Sequence, residues 1–131
     1  MRLKFWEKKE EKIEEKPKEE VKITELEEVC GEDKEIYEAL YQTMFLDPRK
    51  IGISIQEAYK NAKRYEESGD LTRAALWYRI AGGLAIYQEN IKKVKEYFRK
   101  CEELLGISFP ILKNPEKAVS KAKEYYQKYL K

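Results

Sequence analysis

The sequence predicts an all-α protein, a compact antiparallel bundle of about five helices, and three observations carry that expectation. Apolar residues recur at three- and four-residue spacing in five separate stretches between residues 33 and 130, the period of a helix with one buried face. The stretches are parted by recognisable stops and starts: Asp47-Pro48, Gly69-Asp70, Asn90, Gly106 and Asn114-Pro115. Two-residue alternation, the mark of a half-buried strand, is found only in "VKIT" at 21–24. The expected organisation is a charged arm over residues 1–20 and one helical domain over 21–131.

The arm, "MRLKFWEKKEEKIEEKPKEE", holds too few apolar residues to offset the entropy of ordering. A flexible or frayed-helical segment ending near Pro17 is expected, with Phe5 and Trp6 as a docking pair or as a contact on the protein's own surface or in a dimer. The first helix spans residues 33–46, with Ile36, Tyr37, Leu40, Tyr41, Met44 and Phe45 as one wide apolar stripe. Asp47-Pro48 ends it, because the residue before proline avoids helical angles. Ser54 and Glu57 form a capping box for the second, with Ile55, Ala58, Tyr59, Ala62 and Tyr65 as its inner face. Gly69-Asp70 closes that helix and caps a third, from Leu71 to about Gln88. Asn90 caps a fourth over 91–105, striped by Ile91, Val94, Phe98, Cys101 and Leu105 and stopped by Gly106. "ISFPILK" reads as a loop or short extended connector. Asn114 and a first-turn proline open the last helix, through Ala118, Ala122, Tyr125, Tyr126 and Tyr129.

The third helix is apolar on nearly every side. Ala74, Tyr78, Ala81 and Ala85 form one strip, Trp77, Ile80, Leu84 and Tyr87 a second, and Leu76 and Gly83 fall on a third. Such a helix is buried by several neighbours, so it is expected at the centre of the domain. Gly82 and Gly83 each cost about 1 kcal/mol relative to alanine in a helix interior. Close approach of another backbone, a bend, or contact with a ligand would account for them.

Charged residues make up 40% of the chain, and the Lys- and Glu-rich, histidine-free composition is similar to that of heat-adapted proteins. The net charge is only +2, but residues 19–47 hold ten acids against two lysines, and residues 91–131 hold eleven bases against five glutamates. Opposite charge in the two regions favours their packing together or the display of two different faces. No apolar run approaches the roughly 18–20 residues of a membrane span, and the first residues lack the apolar core of a signal peptide, so a cytoplasmic location is expected. Cys30 and Cys101 are 71 positions apart with no CxxC and no histidine, so no metal is expected. They read as two small buried side chains or as a disulfide.

"NAKRYEESGDLTRAALWYRIA" resembles the helical hairpin of tetratricopeptide repeats: Ala62, Tyr65, the Gly69-Asp70 turn, Ala74, Tyr78 and Ala81 fall at that family's spacing. Asn61, Ala58 and Ile86 depart from its pattern. "ENIKKVKEYFRKCEELLG" looks like the second helix of another such hairpin, yet it begins only 20 residues after the first turn, not the roughly 34 of a tandem array. This is closer to the MIT (microtubule interacting and transport) domain, a three-helix relative with a long second helix. The resemblance covers residues 55–105. It implies a non-enzymatic adaptor that binds a peptide or helix of a partner protein in a groove between helices.

With no histidine as a general base, no activated cysteine and no phosphate-binding loop, no enzyme activity and no cofactor are expected. For the adaptor reading, the partner-binding candidates are Arg73, Trp77 and Ile80 on the central helix, with Tyr97 and Lys100 on the fourth. The alternative is RNA or DNA binding, with Lys113, Lys117, Lys121 and Lys128 meeting phosphates and Tyr125, Tyr126 and Tyr129 stacking on bases. A third reading is a self-associating structural protein, a homo-oligomer that buries leftover apolar strips against a symmetry mate.

Overall fold

Helix ends in this chain are set by short polar side chains. The computed structural model describes residues 25–130 and is helical throughout its regular structure. A helical segment at 25–30 (α1) is followed by α2 (Lys34–Thr43), α3 (Ile55–Glu67), α4 (Leu71–Tyr87), α5 (Ile91–Leu105), a 3-10 turn (Pro110–Leu112) and α6 (Pro115–Tyr129). Asp33, Ser54, Asp70, Asn90 and Asn114 each accept a hydrogen bond from the backbone N–H three residues on, at 3.1 to 3.3 Å. Each thereby satisfies one of the donors that a helix start leaves free.

α3 and α4 end in the same way. Asp70 N–H donates to the Tyr65 carbonyl and Gly69 N–H to that of Glu66; Asn90 N–H donates to Ala85 and Glu89 N–H to Ile86. Both are Schellman closures, which need a left-handed residue just past the helix. Gly69 supplies it in the first turn (φ 84°), but in the second a glutamate does (Glu89, φ 59°).

The described residues form the all-α bundle, with three local differences from the sequence reading. α1 is an additional helical segment: its acid-rich surroundings mask an i, i+4 pair, Leu26 and Cys30, and both are buried. α2 stops at Thr43, before Asp47-Pro48, where the Thr43 hydroxyl turns back to donate to the Ala39 carbonyl at 2.7 Å. Its buried face is therefore Ile36, Ala39, Leu40 and Thr43, while Tyr41 and Phe45 stay exposed. The connector "ISFPILK" contains a 3-10 turn, because Glu102 accepts the Phe109 N–H at 2.8 Å and the turn seats Phe109 and Ile111 in the core. The charged arm at 1–20, its Phe5-Trp6 pair and "VKIT" lie outside the described residues.

α3, α4 and α5 form two consecutive antiparallel hairpins that share α4, and the α3–α4 and α4–α5 interfaces are the most extensive in the molecule. Alanines make this possible: Ala58, Ala62, Ala74, Ala81 and Ala85 are all fully buried, and each lets a neighbouring helix come close. α2 and α6 also pack on α4, the 3-10 turn packs on α5, and these three pack on one another. The covering of α4 is incomplete, since Leu71, Leu76 and Tyr87 remain exposed. Arg79 ties the end of α2 to α4: it donates to the Gln42 carbonyl at 2.9 Å, and its guanidinium lies 4.4 Å from the Phe45 ring centroid. Cys30 and Cys101 are buried, unbridged thiols. The Cys101 thiol donates to the Ala75 carbonyl, and burial pushes its pKa up to about 12.

The glycine pair divides into two roles. A Cβ on Gly82 would lie 2.6 Å from two carbons of the Phe98 ring, itself stacked on Phe109 at 5.6 Å between centroids. The close approach is thus made by a ring, not by a backbone. A Cβ on Gly83 would meet only the Thr43 carbonyl oxygen, at an ordinary 3.6 Å. Urea titration is therefore expected to show Gly82→Ala destabilised by about 1–3 kcal/mol and Gly83→Ala stabilised by up to about 1 kcal/mol. In the same assay Glu89→Gly gains up to about 1 kcal/mol by relieving a left-handed non-glycine residue. The exposed Glu89–Lys123 pair at 3.4 Å that it loses offsets only part of this.

Candidate functional site

α3 and α5 lie on the same side of α4 but do not close on each other: none of their Cα atoms come within 8 Å. Tyrosines fill the space between them. Tyr59 of α3, Tyr78 of α4 and Tyr97 of α5 form a triangle, with ring centroids 5.7 Å apart for Tyr59–Tyr97 and 6.3 Å for the other two pairs. Tyr78 and Tyr97 are buried and make the floor, while Tyr59 is half-buried and reaches the surface.

A charged bridge crosses one end of this cleft. The two oxygens of Glu66 on α3 accept from the Tyr78 hydroxyl at 2.7 Å and from Lys100 Nζ on α5 at 2.9 Å. One carboxylate thus joins all three helices, and charge-assisted bonds of this kind are the strong ones. Donation by Lys100, then by Tyr78, holds the Glu66 carboxyl below its ordinary pKa, and Glu66 in turn raises that of Lys100. Burial first, and then Glu66, pushes the Tyr78 phenol up. Farther along the cleft Lys93 donates to the Tyr97 hydroxyl at 3.4 Å and sits 5.6 Å from that ring's centroid.

Of the five partner-binding candidates, Tyr97 and Lys100 belong to this cleft, Tyr97 as floor and Lys100 as half of the bridge. Arg73, Trp77 and Ile80 do not share that face, because at 100° per residue Trp77 and Ile80 project about 100° and 200° away from Tyr78. Arg73 is exposed, paired with Asp70 at 3.5 Å and lying 5.7 Å from the Tyr65 ring centroid. Trp77 is half-buried against the core, and Ile80 is buried at 9% exposure. Sequence reasoning left Tyr59, Glu66 and Tyr78 off the site. The signal lay in spacing, since Tyr59 and Glu66 are seven apart on one helix and Tyr97 and Lys100 three apart on another.

The basic C-terminal residues face acids of the same chain. Lys117 pairs with Asp33, Lys113 with Glu35 at 4.0 Å, Lys128 with Glu28 at 3.8 Å and Lys121 with Glu124 at 3.1 Å. Tyr129 donates to Glu28 at 2.9 Å. Tyr126 is buried with its ring edge-on to Tyr87 at 5.1 Å, and Tyr125 is half-buried beside it. Three of the four lysines are therefore paired with the acidic segment 28–35. Among the described residues no His, Cys, Asp or Glu cluster could hold a metal ion, and no helix is long and apolar enough to cross a membrane.

The Glu66 bridge yields a prediction. Tyr78→Phe is expected to cost about 1.5 kcal/mol at pH 7, the lower end for a hydrogen bond to a charged group. Because the fold lowers the Glu66 pKa, the carboxylate's stabilisation is fully present above its ordinary pKa of 4.5 and is lost as pH falls through the folded-state value. The gap between wild type and Tyr78→Phe in urea titrations should therefore narrow between pH 7 and pH 3. A gap that does not change would remove the ionised carboxylate as the acceptor. No protein-family model, curated protein or solved structure matches the chain.

Proposed function

We propose that the chain is a protein-interaction module that takes a peptide or helix of a partner protein into the α3–α5 cleft. The observation that carries this reading is the separation of α3 and α5 over an aromatic floor, with the half-buried Tyr59 at its edge. Tyrosine offers a large contact area with a polar tip and is favoured where proteins meet. A segment lying in the cleft would place apolar side chains on Tyr59 and polar ones against Lys93, Glu66 and Lys100. The outer face of α5 continues the surface as a shallow depression of about 390 Å³ lined by Lys92, Lys95, Glu96, Arg99, Lys100 and Glu103. Lys92 and Arg99 have no ion-pair partner among the described residues and are available to steer acidic groups of a partner.

Three consecutive helices with the longest in the middle, and helix-ending turns 20 residues apart (Asp70 and Asn90), fit the MIT-like reading better than a tandem tetratricopeptide array. The paired state of Lys113, Lys117 and Lys128 weighs against the nucleic-acid reading.

A photo-crosslinking amino acid placed at Lys63, on the rim of the cleft, and at Ser120, on α6, tests the proposal in nuclease-treated lysate of the source organism. The expected result is a discrete protein adduct from position 63 that Tyr59→Ser abolishes, and none from position 120. Adducts from position 120 alone, adducts that vanish with nuclease, or a product of twice the chain mass would each overturn it, the last in favour of self-association.

A further inference from the structure

The helices fall into two groups by the extent of their interfaces. α3, α4 and α5 are consecutive, joined by three-residue turns, and bound by the two largest interfaces. α2, the 3-10 turn and α6 come from opposite ends of the described chain, share interfaces with one another, and reach the three-helix core through smaller ones. Four polar contacts cross between the flanks. Lys117–Asp33, Lys113–Glu35, Lys128–Glu28 and Tyr129–Glu28 all run from one flank to the other and not to the core. Two exposed pairs, Lys95–Glu116 at 3.9 Å and Lys123–Glu89 at 3.4 Å, join α6 to α5 and to the turn after α4.

We propose that these flanks act as one clasp: α1, α2, the 3-10 turn and α6 leave the α3–α5 core together, as a cooperative opening below global unfolding, and the cross-flank ion pairs make the two ends open as a unit. Proteins open in contiguous cooperative units, and the units with fewer apolar contacts open at lower free energy. The clasp has that character. It meets the core only through the smaller interfaces, and its buried apolar side chains, Leu26, Ile36, Leu40, Phe109, Val119 and Tyr126 among them, are divided between two halves distant in sequence, so each half depends on the other for its place. Opening removes the Tyr126 ring from Tyr87 and uncovers the side of α4 opposite the tyrosine cleft. The molecule then has one surface that is always accessible and a second, apolar one that is accessible only with the clasp released. This holds whatever occupies the cleft.

Hydrogen exchange of the full chain, followed by mass spectrometry in low urea, tests the clasp. Amides of α2 and α6 are expected to share one protection level, about tenfold or more below that of α4 and α5. Lys117→Glu, a change confined to α6, is expected to lower protection in α2 and α6 equally, by about two- to fivefold, and to leave α4 and α5 unchanged. If that variant does not fold, Lys113→Glu, at a more exposed pair, gives the same reading, and the swap Lys113→Glu with Glu35→Lys should restore protection in both helices. A loss in α6 without a loss in α2 would show independent flanks. Equal losses in α2, α4, α5 and α6 would show a single global transition. Either result overturns the clasp.

Discussion

A helix of 17 residues with only three polar side chains, Thr72, Arg73 and Arg79, has to be covered on most of its circumference, and the rest of the molecule is arranged by that need. α3 and α5 take the two sides next to Tyr78, and α2 and α6 take the back. Burying so much apolar surface supplies the driving force, but it is not directional. Direction comes from the fully buried Tyr78, whose hydroxyl has one acceptor, Glu66. An unmet buried hydroxyl would cost about 1–3 kcal/mol, so the Tyr78–Glu66–Lys100 chain of bonds fixes how α3 and α5 stand relative to α4. The cleft is a by-product of that arrangement. Three rings with centroids 5.7 to 6.3 Å apart occupy the space between α3 and α5.

Small residues play the opposite part at the other interfaces. Gly82 receives the ring of Phe98, and Phe98 stacks on Phe109. A single missing side chain on α4 therefore makes room for a stack that anchors the 3-10 turn, and with it the start of α6. The acidic segment before α2 then meets the basic face of α6, and the uneven charge of the sequence becomes internal complementarity. Asp33 has two tasks at this point: it caps α2 and pairs with Lys117, and both interactions, the Lys117 bond first, hold its carboxyl below the usual range.

Much of this was legible in the sequence because it is local. Ser54, Asp70, Asn90, Gly106 and Asn114 mark helix ends through bonds to residues three to five positions away, and each stands where its chemistry puts it. The central position of α4 was legible because its composition leaves it no exposed face. Three things were not. At the end of α2 the Gln42 carbonyl is held by Arg79, 37 residues farther along the chain. The Phe98–Gly82 contact joins two helices whose register no local rule sets. The Tyr59–Tyr78–Tyr97 triangle was hidden because each ring, taken alone, reads as an ordinary inward residue of an amphipathic helix. For the same reason Tyr97 and Lys100 were grouped with Trp77 and Ile80, which share an apolar character but not a direction.

The tyrosine cluster and its glutamate have a consequence for how the molecule meets changes in its surroundings. Every described group whose ionisation the fold shifts clearly is moved away from neutrality: Asp33, Asp47 and Glu66 downward, Lys100 and the buried tyrosine and cysteine side chains upward. The sequence has no histidine to fill the interval. Histidine is the side chain that ordinarily titrates in that interval, and none of the groups that the fold clearly shifts among the described residues is moved into it. Near neutral pH the tyrosine cluster and its Glu66–Lys100 bridge therefore keep one pattern of charge, and a partner would meet the same surface across that interval.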